Sequence, residues 1–203
     1  ISWDEAAFGY NALTIANYGR DEYGKFLPLY FRSFGDDKHP IHIYITALPV
    51  KLLGLNEFST RLPSALFGTL NVLLVYLLVN ILFKKDLVAF SSSFFLAISP
   101  QGIHFSRFNH EANFVVFFLL LGLYLFFYSI KKGKKLLVLV AISFAICFLT
   151  YHNAKIIIPL LSLTLFVLYR REILKDKADL ILSSFVVIVL LIIIFLNPNL
   201  LGI

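Results

Sequence analysis

Apolar and polar positions are mixed over the first sixty residues of this chain and segregated after them. From Leu62 onward, apolar residues run in six blocks, roughly 62–83, 87–100, 112–130, 136–150, 156–169 and 180–196, separated by short polar links. Blocks of that length predict helices that cross a hydrocarbon core about 30 Å thick, the second and fifth being short for a perpendicular crossing. Ahead of them, Asp4 to Tyr18 predicts an amphipathic helix that Gly19 ends. Tyr23 to Asp37 is an aromatic, glycine-containing loop, and Pro40 opens a second helix, Ile41 to Leu53, closed by Gly54. The first is too short and polar to span and is expected to lie on the membrane, and an apolar run of the second's length is expected to be interfacial or re-entrant. The pattern therefore predicts an all-α integral membrane protein, a multi-spanning helical bundle of about six spans preceded by an outer loop of amphipathic interfacial helices. Residues 1–61 form that loop and residues 62–203 the bundle.

Composition supports this assignment. The chain is 59% hydrophobic and 15% charged, with a mean hydropathy of +0.84, well beyond a soluble domain. Its net charge of +6 does not form one basic face with aromatic platforms, so nucleic acid is not an expected partner. The basic residues instead mark topology. Ten of the eighteen lie in three alternate links, at Lys84-Lys85, Lys131 to Lys135 and Arg170 to Lys177. Loops rich in Lys and Arg stay cytoplasmic, which puts 1–61, 101–111, 151–155 and 197–203 together on the outer face of a plasma membrane. Cys147 is the single cysteine and lies in an apolar run, which excludes an intramolecular disulfide and cysteine-based metal clusters. The chain starts at Ile1, has no methionine and stops just after an apolar run, so both ends are expected to be truncation points of a longer protein.

The outer side carries the candidate chemistry. Asp4 and Glu5 are adjacent acids in Ser2-Trp3-Asp4-Glu5, and Ser2 and Glu5 have capping-box spacing. A cap accounts for Glu5 more fully than for Asp4. Lys38, His39, Arg61, Arg107, His110, Glu111, His152 and Lys155 gather on the same side. Arg107 and Lys155 sit at the ends of apolar segments, at headgroup depth, where snorkelling alone also puts cations. Arg61 suits an anchor as well as a ligand. His39, His110, His152 and Glu111 are a set from which a divalent metal site can be drawn, but their spacing matches no standard motif, and no metal is assigned. There is no glycine-rich phosphate loop or dinucleotide fingerprint.

Taken in order, Asp4-Glu5-Ala6, Lys38-His39-Pro40, Arg61-Leu62-Pro63-Ser64-Ala65-Leu66-Phe67-Gly68, Ser99-Pro100, Ser106-Arg107 with Glu111, and Thr150-Tyr151-His152 with Pro159 resemble the GT-C glycosyltransferases. Within them the likeness is to the branch of protein O-mannosyltransferases and the aminoarabinose transferases that modify lipid A. The resemblance implies a cell-envelope enzyme that moves a sugar from a polyprenyl-phosphate donor to a protein, lipid or glycan acceptor on the extracytoplasmic face. It implies Asp4 as base, with Glu5 orienting it or helping to bind substrate. Lys38, His39, Arg61, Arg107, Glu111, His152 and Lys155 are then the candidates for donor and substrate binding. No cofactor is expected beyond a possible divalent ion. Three features depart from the family pattern: no span precedes the acidic pair, His39 stands where a proline is usual, and Lys155 where an arginine is usual.

The chemistry suits those residues. A base takes the proton of the acceptor hydroxyl, and cations stabilise the departing phosphate. A single displacement inverts the anomeric centre, and a phosphate leaving group needs little protonation, so one strong base suffices. The alternatives are a transporter or flippase, or a non-catalytic membrane subunit of the same fold. The blocks 62–83, 112–130, 136–150, 156–169 and 180–196 carry no Asp, Glu, Lys or Arg between their ends, which weighs against a midplane transport site.

Overall fold

The computed structural model describes residues 2–33, 36–132 and 136–173. The expected apolar block 180–196 and most of the Lys131 to Lys135 link lie outside the described residues. In chain order the elements are α1 (Trp3–Tyr18), β1 (Phe31–Ser33), β2 (Asp36–Lys38), α2 (Pro40–Leu53), α3 (Glu57–Phe83), α4 (Asp86–Ile98), α5 (Pro100–Arg107), α6 (Glu111–Lys132), α7 (Leu137–Phe148) and α8 (Ala154–Ile173).

Two helices among the described residues are long and apolar enough to cross a membrane, Glu57–Phe83 and Glu111–Lys131. At 1.5 Å per residue the first rises about 40 Å, more than a hydrocarbon core requires. Asn56 starts it, accepting from the Ser59 backbone N–H at 2.9 Å while the Ser59 hydroxyl accepts from the Asn56 backbone N–H at 3.2 Å. α4 and α7, at 13 and 12 residues, rise only about 18–20 Å. Of the six expected spans, the five that fall within the described residues are therefore represented by two full-length apolar helices and by shorter or charge-ended ones.

Three local expectations change. Residues 101–111, read as a link, contain the helix α5. Ser99 ends α4 with extended backbone (φ −62°, ψ 125°), Pro100 takes the first helical position, and the Ser99 hydroxyl accepts from the Gly102 N–H at 3.3 Å. The aromatic loop contains the antiparallel hairpin β1-β2, with Phe31 opposite Lys38 and Arg32 opposite Asp37. Finally, α1 does not segregate apolar from polar as an interfacial helix should. Its exposed residues include Trp3, Tyr10 and Tyr18, whereas Glu5 and Asn11 are buried. The inward polar groups are all engaged: the Asn11 amide donates to the Glu22 carboxylate at 3.0 Å and its carbonyl accepts from the Glu22 backbone N–H at 3.1 Å. As expected, Gly19 ends the helix in the left-handed conformation (φ 64°).

Two apolar cores flank a polar seam. Phe8 and Ala12 of α1, Phe31 of β1, and Ile43, Ala47 and Val50 of α2 form the first; Phe126, Val140, Phe144, Ile158 and Leu165, from α6, α7 and α8, belong to the second. Between them α3 packs on α6 through amides: Asn71 Nδ2 donates to Asn113 Oδ1 at 3.0 Å, and Asn113 Nδ2 to the Ser64 carbonyl at 2.7 Å. Gly68 is what lets α5 lie against α3, since a Cβ there would collide with the Ser106 hydroxyl and stand 2.7 Å from its Cβ. Gly68→Ala should destabilise the protein by about 1–3 kcal/mol through overpacking. Adding Ser106→Gly should restore much of the loss, read as the thermal unfolding midpoint in detergent.

Candidate active site

The two adjacent acids point in different directions. At the third helical position Glu5 closes a capping box: its Oε2 accepts from the Ser2 N–H at 3.1 Å, and the Ser2 hydroxyl accepts from the Glu5 N–H at 3.3 Å. Its carboxylate is only 1% exposed and takes a two-pronged contact from Arg61 of α3, Nε to Oε1 at 2.8 Å and Nη2 to Oε2 at 2.9 Å. The Asn109 backbone N–H adds a fourth donor at 3.2 Å. Burial pushes the Glu5 carboxyl up, but Arg61 and the Ser2 and Asn109 amides outweigh it and hold the group down at about 2. Asp4, one residue earlier, leaves 44% of its side chain exposed, with Lys38 Nζ 3.6 Å from Oδ1.

Lys38 ends β2 beside Asp4, and the next residue, His39, caps α2 with extended backbone (φ −70°, ψ 147°). His39 is buried with its ring edge-on to His152, centroids 4.5 Å apart. Lys155 Nζ lies 3.4 Å from His152 Nδ1, and rings continue the cluster from His152 through Tyr151 to His110. Asp4, Lys38, His39, His152 and Lys155 thus form one connected group drawn from α1, the hairpin, the start of α2, and the start of α8 with the residues just before it.

Glu111 begins α6 with its carboxylate 3.8 Å from His110 Nδ1 and 4.0 Å from His42 Nε2. His42 is fully buried in α2, and burial, only partly offset by the Glu111 carboxylate, pushes its imidazole down to about 4. It is therefore neutral near pH 7, and at 4.0 Å the contact is too long for a hydrogen bond. Among the described residues no three His, Cys, Asp or Glu side chains come together to hold a metal ion. Arg61, a candidate substrate ligand, spends its fork on Glu5. Arg107 is exposed and lines a different feature, a mostly apolar cavity of about 820 Å³ between α3, α4, α5 and α6 whose wall includes Asn71, Leu73, Leu96 and Val116.

His42, Thr46, Ser64, Asn71, Asn109 and Asn113 were not among the sequence candidates, yet all are buried against these groups. The signal was uncharged polar residues within apolar helices, which a search for full charges passes over.

The family model described as dolichyl-phosphate-mannose-protein mannosyltransferase matches residues 37–196. The chain belongs to that family. Bacillus subtilis (strain 168) supplies two relatives, "Putative mannosyltransferase YkcB", 38% identical over 105 residues (52% of this chain), and "Putative mannosyltransferase YycA", 31% identical over 156 residues (75% of this chain). An uncharacterized protein of Aquifex aeolicus (strain VF5) is 30% identical over 181 residues, 83% of this chain. These matches span 14%, 22% and 36% of the three relatives' own lengths. In fold, 97% of the chain superposes on 38% of ArnT from Cupriavidus metallidurans, crystallised in the apo state, with a TM-score of 0.67 and 17% identity. The mannosyltransferase family and the ArnT-like GT-C fold match the sequence resemblance; the family match begins at residue 37, after the acidic pair.

Breaking the inner pair should cost stability. Arg61→Gln leaves Glu5 buried without its fork, a loss of about 3–5 kcal/mol for a fully enclosed pair and nearer the lower figure here, because Arg61 is 36% exposed. A depressed carboxyl stabilises the fold fully above its ordinary value of 4.5 and loses that contribution as pH falls through about 2. Unfolding midpoints against pH should accordingly fall on the acid side in the parent protein, and Glu5→Gln should flatten that limb.

Proposed function

We propose that this chain carries the base and part of the donor site of a membrane glycosyltransferase. The enzyme moves a sugar from a polyprenyl-phosphate-linked donor to a hydroxyl acceptor on the extracytoplasmic face of the plasma membrane. The observation that carries the reading is the division between the acids: Glu5 has every strong contact satisfied and is enclosed, whereas Asp4 is open and stands beside a lysine. A base must reach the proton it takes, and only Asp4 meets that geometric condition.

In the reaction Asp4 accepts the proton of the acceptor hydroxyl as its oxygen attacks the anomeric carbon. The bond from that carbon to the phosphate oxygen breaks, and the lipid phosphate leaves with the electron pair. Lys38, beside Asp4, and Lys155, beside His152, are the cations suited to that developing charge. Attack and departure on opposite faces invert the centre. His39 and His152, packed edge to face and next to both lysines, form a wall for the sugar. Arg107 fits the headgroup of the same donor if its chain enters the apolar cavity that Arg107 lines, since an isoprenoid tail needs apolar walls and a cation at the mouth. Membership of a family named for dolichyl-phosphate-mannose supports the lipid-linked donor.

Asp4→Asn in the full-length enzyme should fold with an unchanged midpoint and lose roughly 10²–10⁴ in turnover, as removal of a general base does. Near-normal turnover in the folded variant would end the assignment. For the donor, Arg107→Gln and Lys155→Gln should each lower donor efficiency by roughly tenfold to a hundredfold, the worth of one charged hydrogen bond. Arg20→Gln, in the exposed loop where Arg20 donates to the Gly24 carbonyl, should leave it unchanged. Equal activity with a nucleotide sugar in lipid-free detergent would contradict the lipid-linked donor.

A further inference from the structure

Asn109 sits between α5 and α6, fully buried, and ties three other helices together. Its backbone N–H donates to Glu5 Oε1 in α1 at 3.2 Å, its amide Nδ2 donates to Thr46 Oγ1 in α2 at 3.1 Å, and its Oδ1 accepts from the Ser64 hydroxyl of α3 at 3.5 Å. Thr46 is fixed in turn, since its hydroxyl donates to the His42 carbonyl at 2.7 Å. Each donor and acceptor that Asn109 offers to α1, α2 and α3 is thus used. An asparagine is suited to the position because it brings a donor and an acceptor on one short rigid side chain, and an aspartate would bring a second carboxylate next to Glu5.

These contacts bear on the reaction through one residue. The first turn of α1 is held by Glu5, and Glu5 by Arg61 and by the Asn109 N–H. Asp4 precedes Glu5, so its aim at Lys38 follows the placing of that turn. Arg61 is 36% exposed at the end of a long side chain, whereas Asn109 approaches from backbone held at both side-chain atoms. Of the groups on Glu5, the Asn109 amide is the one anchored to α2, the helix that follows Lys38 and His39 directly.

We propose that Asn109 is a positioning residue for the transfer step: its side chain locks the backbone N–H that fixes Glu5, and through Glu5 it sets the direction of Asp4. The inference rests on the reading of Asp4 as base, and the two are separable by experiment. In the full-length enzyme with its lipid-linked sugar donor, Asn109→Ala should lower kcat by roughly tenfold to a hundredfold, the scale of a misplacement of about 1 Å. Donor KM should stay within about threefold, since no donor contact is removed. In the Asp4→Asn background the same change should add no further loss, because the residue it positions has already been disabled. If Asn109→Ala does not fold, Thr46→Val takes its place, removing the acceptor for the amide along with the hydroxyl's own bond to the His42 carbonyl within α2, with the same expectations.

A folded Asn109→Ala enzyme with full kcat, beside an Asp4→Asn enzyme that is impaired, would overturn the role of Asn109 and leave the base assignment standing. So would a loss that multiplies unchanged onto Asp4→Asn, which would make Asn109 act elsewhere. Normal turnover by Asp4→Asn alone would remove the base assignment itself, and with it any action of Asn109 through Asp4.

Discussion

The buried contact between Glu5 and Arg61 is the interaction on which the rest of the candidate site depends. It joins the 16-residue α1, which is not among the helices long and apolar enough to cross a membrane, to the first of the two that are, across 56 residues of sequence. A carboxylate that is 1% exposed is stable only if its oxygens are occupied, and here Ser2, Asn109 and the guanidinium occupy them. With Glu5 fixed, the preceding residue has little choice of direction. The same helix start serves as a structural clamp and as a mount for a reactive group, and adjacency in sequence is what allows the division.

Holding that clamp requires polar groups inside an apolar assembly. Thr46, Ser64, Asn71, Asn109 and Asn113 are buried, and all are hydrogen-bonded to one another or to the backbone. In an apolar surrounding such bonds resist slippage because each broken one leaves an unpaired group. The seam lies where α1, α2, α3 and α6 meet, close to the open acid. His42 and Glu111 extend it with a longer, looser contact, in which the imidazole is neutral and the carboxylate stands 4.0 Å away.

Much of the helical plan was legible in the sequence, because its signals are local. Pro40 at a helix start, Gly19 at a helix end, and the Ser2 and Glu5 spacing each follow from one helix alone, and each appears where expected, while five of the six apolar blocks fall on helices among the described residues. The contrast between Asp4 and Glu5 was also visible, since a capping box uses only one of them. What the sequence hid was long-range. Nothing local says that Arg61 turns to Glu5 and away from substrate, or that Asn109 touches three helices. The α1 helix misled for the same reason: its polar residues face inward because their partners arrive from α3, from the turn around Glu22 and from the α5–α6 link. α5 escaped notice because Pro100 and Gln101 suggest a link, whereas Ser99 and Pro100 start a new helix immediately after the old one ends.

The division between the two acids is the central claim, and a structure of the full-length enzyme bound to a non-transferable phosphonate analogue of a polyprenyl-phosphate sugar tests it most directly. The account predicts the Asp4 carboxylate beside the face of the anomeric carbon opposite the phosphonate, with Glu5 still forked by Arg61. A complex in which Glu5 has left Arg61 to contact the sugar, or in which Asp4 faces away from the anomeric carbon, would contradict it.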